Sequence, residues 1–252
     1  RRRIYESIDK DLEEVENFGK RLFEKTSGDK DFLKVYLGTG EVESLNPVKY
    51  NKMEFVDLED PISLLPEKIS EKYRIINDAP IVSNFMDSCG VGIVGSYDRL
   101  VSIMKNITLD LAIRHFYNEV KFVYILDGSY IEEFKWIRWL KNVNNKELDI
   151  KNIVCDEESK NIVLESLYAN LSMREAALGE KKEFDGFEEQ YIVFVTNAES
   201  ISTHPISKYI KKCRELGFTF VFFEENEEKL PLGCTEIIRL TDEGKGNLLK
   251  AQ

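Results

Sequence analysis

Continuous apolar segments alternate with longer amphipathic stretches from residue 90 onward, and this alternation constrains the fold of the chain more than any other feature. A strand whose middle is apolar without interruption is typical of a sheet that is covered on both faces. Strands that alternate with helical stretches predict βαβ units, and therefore an α/β fold with a mostly parallel sheet flanked by helices. The predicted strands are VGIVG (91–95), KFVYILD (121–127), NIVCD (152–156), YIVFVTN (191–197), FTFVFFEE (218–225) and TEIIRL (235–240).

The segments between these strands have apolar residues at helical spacing. They predict helices over 97–117, 134–140, 157–178 and 205–216. Upstream, a charged amphipathic stretch predicts a long helix over 4–24, broken near Gly19. Between this helix and residue 85 we expect strands over 31–40, 53–58 and 80–85 and a helix over 61–76. These early strands either extend the main sheet or form a separate layer.

The balance of charge argues against nucleic acid as a partner. The chain has 252 residues and a formal net charge of −11, and such a field repels a phosphate backbone. Four cysteines are scattered without a C-x-x-C pair, and only two histidines accompany them, so no metal site is predicted. No run of apolar residues is long enough to span a bilayer.

The stretch CGVGIVGSYDRLVSIMKNITLDLAIRH contains parts of two phosphate-binding patterns. Gly90, Gly92 and Gly95 have the spacing of the dinucleotide fingerprint G-x-G-x-x-G. Gly90 and Gly95 also have the spacing of the P-loop, G-x-x-x-x-G-K-[ST]. However, Ser96 and Tyr97 occupy the positions of its lysine and its hydroxyl residue.

The dinucleotide pattern needs its glycines in the turn that follows the strand. Here apolar residues lie between the glycines, so the predicted strand runs through the motif and leaves only Gly95 for the turn. An acidic residue does follow at about the expected distance of twenty positions, but Asp110 falls inside the predicted helix. The stretch therefore favours an ordinary strand–turn–helix unit over a dinucleotide site.

The P-loop interpretation fails on chemistry. The P-loop lysine attracts the β- and γ-phosphates and the hydroxyl residue holds Mg²⁺, but Ser96 has no charge and Tyr97 is too long for the metal position. Asp98 places a negative charge at the start of the helix, which stabilises the helix dipole and opposes a phosphate there. Arg99 is the only nearby cation in the sequence and comes too late in the pattern. Weak anion binding at the helix amides remains open.

A nucleotide hydrolase also needs a carboxylate at the end of a second buried strand. The most hydrophobic candidate strand, 191–197, ends at Asn197, whose amide neither takes up a proton nor binds Mg²⁺ as a carboxylate does. Glu199 comes two positions later, and Asp127 follows another strand at a position typical of a helix cap. We therefore predict no catalytic residue and no cofactor.

The remaining candidates are aromatic or basic. Trp136 and Trp139 are spaced i, i+3 in the predicted helix 134–140, which suits either packing in the core or an aromatic docking patch. His115 and His204 are interpreted as structural residues, the first in packing or at the surface and the second at a helix start.

Several segments together resemble the FtsK/SpoIIIE-type ATPases of type VII secretion, the EssC/EccC family. In the first of these segments Phe23 stands where the family has tryptophan and Lys25 where it has arginine, while the FKWIRWL stretch is similar to a tryptophan-rich family element. The set covers most of residues 11–240 in the family's order: RLFEKTSGDKDFLKVYLGTG (21–40), CGVGIVGSYDRLVSIMKNITLDLA (89–112), KFVYILDGSYIEEFKWIRWLKNV (121–143), YIVFVTNAESI (191–201) and LGFTFVFFEENEEKLPLGCTEIIRL (216–240).

The resemblance implies that the chain is one part of a long protein. Proteins of this family contain, in order, a membrane segment, a cytoplasmic stalk, a degenerate ATPase-like domain and tandem ATPase domains. The resemblance implies a helical stalk end at 1–28 and a degenerate RecA/FtsK-like α/β domain at 29–252, which agrees with the leading arginines and the missing initiator methionine. By the same resemblance, Gly95–Arg99 (Gly95, Ser96, Tyr97, Asp98 and Arg99) is the vestigial Walker A place and Asn197 the vestigial Walker B place.

The resemblance further implies a non-catalytic domain that couples the membrane stalk to the active ATPase modules in protein export. The expected partners are other domains of the same ATPase, neighbouring protomers and other secretion components. Nucleic acid is not expected, and the membrane is reached only through the preceding segment, at the cytoplasmic face of the cell membrane. The alternative is a regulatory domain of the same motor that binds nucleotide without hydrolysing it.

Overall fold

The computed structural model describes residues 8–44, 46, 48–50, 62, 64–180, 186–241 and 246–250. The chain forms two compact units. Tyr36–Ser83 belongs to the smaller unit, and Ile8–Val35 together with Asn84–Gln252 forms the larger one. The predicted division after residue 28 stays a prediction. Within the described residues, no helix combines the length and the apolar composition that crossing a membrane requires.

Among its described residues, the smaller unit contains two strands and one helix. Strands β1 (Lys34–Glu43) and β2 (Ile75–Asn84) pair in a two-stranded sheet of their own, so the early strands form a separate sheet rather than an extension of the main one. Helix α2 (Leu65–Lys72) has a proline in its first turn, where no N–H donor is needed. The predicted strand 53–58 lies outside the described residues.

The main sheet has seven strands, and six of them are parallel, as the sequence predicts. The seventh, β11, pairs antiparallel with β10 at one edge and was missed. The order across the sheet is β11-β10-β3-β9-β8-β4-β7. Its strands are β3 (Gly90–Val94), β4 (Val120–Ile125), β7 (Ile153–Val154), β8 (Gln190–Val195), β9 (Phe218–Glu224), β10 (Glu236–Leu240) and β11 (Gly246–Lys250), while a small antiparallel hairpin, β5 (Asn144–Asn145) and β6 (Ile150–Lys151), precedes β7.

Helices flank this sheet. The α-helices of the larger unit are α1 (Ile8–Glu16), α3 (Tyr97–Arg114), α4 (Gly128–Phe134), α5 (Glu157–Glu180) and α6 (Glu199–Ser202). Short 3₁₀ segments lie at Phe85–Asp87, Lys135–Trp139, Lys141–Val143, Pro205–Tyr209, Cys213–Leu216 and Glu227–Lys229.

The centre of the sheet explains its continuous apolar segments. Every residue of β4 and of β9 is buried, because both faces of these strands are covered. Tyr124 of β4 stacks on Phe194 of β8 with ring centroids 4.6 Å apart. The Tyr124 hydroxyl is hydrogen-bonded to Thr108 of α3 at 2.9 Å, which satisfies a polar group inside the core.

A buried ionic cluster attaches α1 to α3. A guanidinium nitrogen of Arg114 lies 3.2 Å from the carboxylate of Asp11 in α1, and another lies 3.2 Å from Asp110 one turn earlier in α3. All three side chains are buried, so removing one of them would leave a charge in the interior with fewer partners. The cluster therefore fixes the position of α1 on α3.

His115, at the end of α3, attaches a further segment. Its Nε2 accepts a hydrogen bond from the backbone N–H of Leu33 at 3.0 Å, and its Nδ1 lies 3.1 Å from the carbonyl oxygen of Leu111. Since Nε2 is an acceptor, the ring is neutral and Nδ1 carries the proton. The interpretation of His115 as a structural residue agrees with this fully buried position.

Three predicted helices differ from the structure. Within 4–24 only α1 is helical among the described residues, because the chain turns at Phe18 and Phe23, which both have positive φ. The stretch 205–216 contains two 3₁₀ segments rather than one α-helix, and 134–140 is the end of α4 followed by a 3₁₀ segment. In all three stretches the apolar spacing suits a helix, and tertiary packing selects another backbone path.

Candidate functional site at the carboxyl edge of the sheet

The turn at the predicted Walker A place is very short. Strand β3 ends at Val94 and α3 begins at Tyr97, so only Gly95 and Ser96 connect them. A P-loop cradles phosphate with consecutive backbone amides in a longer loop. Here the N–H of Gly95 donates to the carbonyl oxygen of Glu224 in the neighbouring strand at 3.4 Å, so that amide continues the sheet.

The two earlier glycines lie inside the strand, where packing explains them. Gly90 and Gly92 pair with Phe220 and Phe222 of β9. A Cβ on Gly92 would lie 2.5 Å from a methyl carbon of Leu230. A Cβ on Gly90 would approach the backbone around Cys234 to 3.2 Å. The glycines let the segment that precedes β10 pass close to β3.

The residues after Gly95 form the first turn of α3. Ser96 has the extended backbone of an N-cap residue, and Asp98 adds a negative charge in the first turn. Tyr97 reaches across to the start of α4: its hydroxyl donates to the carbonyl oxygen of Ser129 at 2.8 Å, and its ring lies 4.9 Å from that of Tyr130. These tyrosines tie the starts of two helices together at the place where a P-loop would hold metal and phosphate.

Glu224 is the residue at this edge that the sequence interpretation missed. It ends β9, the strand between β3 and β8, and its side chain is buried. Its Oε1 accepts a hydrogen bond from the N–H of Ala198 at 2.7 Å, just before α6. Burial raises the pKa of this carboxyl above its ordinary value, although the bond from Ala198 opposes the rise. The signal was in the sequence, because FTFVFFEE ends in a pair of acidic residues.

The predicted Walker B place, Asn197, lies two residues beyond β8 and is exposed. Its Oδ1 accepts a hydrogen bond from the N–H of Glu199 at 3.1 Å, and its carbonyl oxygen accepts one from the hydroxyl of Ser200. Asn197 thus forms the turn into α6. Asp127 has the same kind of role at α4, where its carboxylate accepts a hydrogen bond from the N–H of Ser129.

A cleft of about 210 Å³ opens beside Asn197, at the carboxyl ends of β4, β7 and β8. In the described part of the chain, its lining includes no residue of Gly95–Arg99. The lining contains three carboxylates and one lysine, and the ammonium of Lys160 lies 3.3 Å from the carboxylate of Glu157. The polar lining residues are Asp127, Asp156, Glu157, Lys160, Asn197 and Ser200. An excess of negative charge makes the cleft a poor site for a phosphate.

The described residues contain no group of acidic, histidine or cysteine side chains that could hold a metal ion.

His204 is the N-cap of a 3₁₀ segment, because its Nδ1 accepts a hydrogen bond from the N–H of Ile206 at 3.2 Å.

The two tryptophans differ in exposure. Trp136 is half-buried and stacks near Phe134, with ring centroids 6.4 Å apart. Trp139 is 81% exposed, and the guanidinium of Arg138 lies over its ring at 5.7 Å. Packing in the core therefore does not explain Trp139, and the docking interpretation stays a proposal for it.

Comparisons with known proteins agree on one group. No family model matches the chain. The chain is 26% identical over 239 residues to the type VII secretion system protein EssC of Staphylococcus aureus (strain MSSA476), covering 93% of this chain and 16% of EssC. It is 25% identical over 231 residues to the ESX secretion system protein YukB of Bacillus subtilis (strain 168), covering 91% of this chain and 15% of YukB. The chain therefore spans about a sixth of the length of these relatives.

Solved structures share the fold. ATPases 2 and 3 of EssC from Geobacillus thermodenitrificans superpose with a TM-score of 0.54 at 11% identity, over 88% of this chain and 39% of that one. ATPases 2 and 3 of EccC from Thermomonospora curvata, solved in complex with a signal sequence peptide, superpose with a TM-score of 0.50 at 14% identity. That match covers 92% of this chain and 45% of EccC.

Proposed function

Because the chain is homologous to part of the type VII secretion proteins EssC and YukB, we propose that it is a non-hydrolysing, ATPase-like domain of such a secretion motor. In this role it joins a membrane-proximal stalk to the active ATPase modules during protein export. It works at the cytoplasmic face of the membrane, which it reaches only through the preceding segment. Its partners are other domains of the motor, neighbouring protomers and further secretion components.

The observation that carries this proposal is the two-residue connection between β3 and α3. A catalytic P-loop needs a lysine, a hydroxyl residue and a loop whose amides surround the phosphates. Here Ser96 and Tyr97 replace the side chains, and one of the two connecting amides is bonded to β9. The turn is thus built to join a strand to a helix, as in any βαβ unit.

The electrostatics of the edge support the same proposal. The buried carboxyl of Glu224 ends the strand beside β3, and Asp98 occupies the first turn of α3. Asp127 also raises the pKa of Glu224, which indicates that the two acidic groups lie close enough to interact. A triphosphate bound at Gly95 would meet these groups without the usual lysine.

The attachment of α1 supports the coupling role. The buried pair of Asp11 and Arg114 connects α1 to the helix that follows the predicted Walker A place. A displacement of α1 would therefore reach α3 through a contact that is costly to break. This is the route by which a stalk could act on the ATPase-like fold.

Calorimetric titration of the chain with Mg-ATP and with Mg-ADP tests the proposal. We expect no saturable heat up to millimolar nucleotide, and no phosphate release above that of the buffer. Saturable binding in the micromolar range that is lost in Arg99→Ala would replace the proposal with the nucleotide-binding, non-hydrolysing alternative. Turnover of ATP by the purified chain would overturn both.

A further inference from the structure

Two exposed faces of opposite character lie near the C-terminal end of α3, whereas the candidate site lies at the start of that helix. The first, here the acidic face, consists of Leu12, Glu13, Val15, Glu16 and Phe18, from α1 and the turn after it. The second, here the basic face, consists of Lys135, Arg138, Trp139 and Lys141, around the 3₁₀ segment that follows α4.

The acidic face arises because α1 packs on α3 through a charged residue rather than through its apolar residues. Asp11 points to the buried Arg114 of α3, so Leu12 and Val15 are left 42% exposed each. The helix carries five acidic residues and one lysine, and Glu13 and Glu16 are exposed beside the two apolar residues. An apolar stripe bordered by carboxylates is typical of a helix that docks on a basic, apolar surface.

The basic face is held rigidly. Phe134 and Ile137 anchor the segment in the core, and the side-chain amide of Asn142 donates to the carbonyl oxygen of Val120 at 2.9 Å. Residues 135–141 contain three cations and no acidic residue, in a chain whose net charge is −11. Trp139 is exposed on this anchored segment. Tryptophan and arginine are among the residue types enriched at binding hot spots.

Contacts at the C-terminal end of α3 lie between the two faces. Phe23, which follows the acidic face in the chain, donates its N–H to the carbonyl oxygen of Ile113 and packs edge-on against Phe116 at 5.7 Å. Phe116 lies 4.5 Å from Tyr117, and the ammonium of Lys141 lies over the Tyr117 ring at 5.0 Å. The acidic face, through Asp11 and Arg114, and the basic face, through Lys141 and Tyr117, therefore both border the C-terminal end of α3, and the surface around that end carries both.

We propose that this surface binds a second copy of the chain as a two-fold symmetric dimer, with the acidic face of each copy on the basic face of the other. A surface that carries both an element and its complement is self-complementary, which is the requirement for an isologous contact. Trp139 then packs on Leu12 and Val15 of the other copy, and Arg138 and Lys141 pair with Glu13 and Glu16. The inference deepens the proposed function, which names neighbouring protomers among the partners, but it is tested separately because nucleotide chemistry has no part in it.

A charge-swap pair tests the dimer. Variant A carries Arg138→Glu and Lys141→Glu, and variant B carries Glu13→Lys and Glu16→Lys. These side chains are exposed, and near-UV circular dichroism confirms that each variant is folded. In sedimentation velocity we expect the wild-type chain to dimerise, each variant alone to be monomeric because like charges then face each other, and an equimolar mixture to form a one-to-one dimer.

Trp139→Ala measures the contribution of the tryptophan to the dimer, and it should raise the dissociation constant of the dimer at least about tenfold. Arg214→Glu, an exposed basic residue that lies outside both faces, serves as the control and should leave the dimer intact. A wild-type chain that stays monomeric, or variants A and B that dimerise as well as the wild type, would overturn the proposal. So would a monomer that binds phosphatidylserine vesicles in a Trp139-dependent manner, because the basic face would then serve a membrane surface. None of these outcomes bears on nucleotide binding.

Discussion

Acidification from pH 7.5 to pH 5.5 should destabilise the larger unit, because His115 is buried in its neutral form. Its Nε2 accepts the N–H of Leu33, so a proton on that nitrogen would remove the bond and bury a charge. Burial, with a smaller effect of Lys25, lowers the pKa of His115 from 6.5 to about 3. The unfolded chain takes up the proton near pH 6.5 and the folded chain only near pH 3, so stability is lost as the pH falls between these values.

The magnitude follows from the two pKa values. Each pH unit below the unfolded pKa costs about 1.4 kcal/mol until the folded pKa is reached. Between pH 7.5 and pH 5.5 the loss is about 1.4 kcal/mol, since the first pH unit lies above the unfolded pKa. For a domain of this size, that corresponds to a fall in Tm of about 3 to 6 °C.

Thermal and urea denaturation, followed by near-UV circular dichroism at the two pH values, measure this loss. His115→Gln keeps a donor and an acceptor but does not titrate, so it should be less stable at pH 7.5 and should lose the dependence on pH. His204→Asn is the matched control substitution at the other histidine, because asparagine also caps a helix start. A wild-type stability that is unchanged between the two pH values, or a His115→Gln variant with the wild-type slope, would refute the reasoning.

Four further substitutions test stability, measured by urea denaturation. Asp11→Ala should lower the free energy of unfolding by about 3 kcal/mol, because the buried Arg114 loses a partner and keeps only part of its neutralisation. Gly217→Ala should cost about 1 to 2 kcal/mol, because Gly217 has a φ of +71°, whereas Gly179→Ala in the open face of α5 should stabilise the chain by up to about 1 kcal/mol. At a concentration at which the chain is monomeric, Trp139→Ala should change the free energy of unfolding by less than about 0.5 kcal/mol, because the side chain is exposed in the single chain.

The strands of the main sheet were predictable from sequence because their signal is local. The segments 121–127 and 218–225 contain the continuous apolar runs FVYIL and FVFF, and such runs fit a sheet covered on both faces. Edge strand β11 was missed, since an edge strand has no such requirement for burial. The turns at Phe18 and Phe23 could not be predicted, because positive φ is unfavourable for phenylalanine and arises from tertiary contacts.

The candidate site was predictable only in part. The two-residue turn after Val94 could be inferred from the apolar residues between the glycines. The place of Glu224 could not, because it depends on which strand lies beside β3, and strand order is set by contacts between distant parts of the chain. The same applies to Tyr97, whose partner Ser129 is far away in the sequence.

The position of β9 also governs how the chain can be made. Both neighbours of β9 in the sheet, β3 and β8, precede it in the chain. During synthesis β3 therefore cannot pair with β9 until more than a hundred further residues have been made. Until then the two halves of the sheet have open edges, and pairing across so many residues is slow. FTFVFF is also a six-residue segment with the composition of an amyloid-forming strand, and the acidic EENEE that follows it acts as a gatekeeper. A ribosome that stalls before this segment would release a chain with an unfinished sheet, so aggregation during biogenesis should depend on how quickly β9 is inserted.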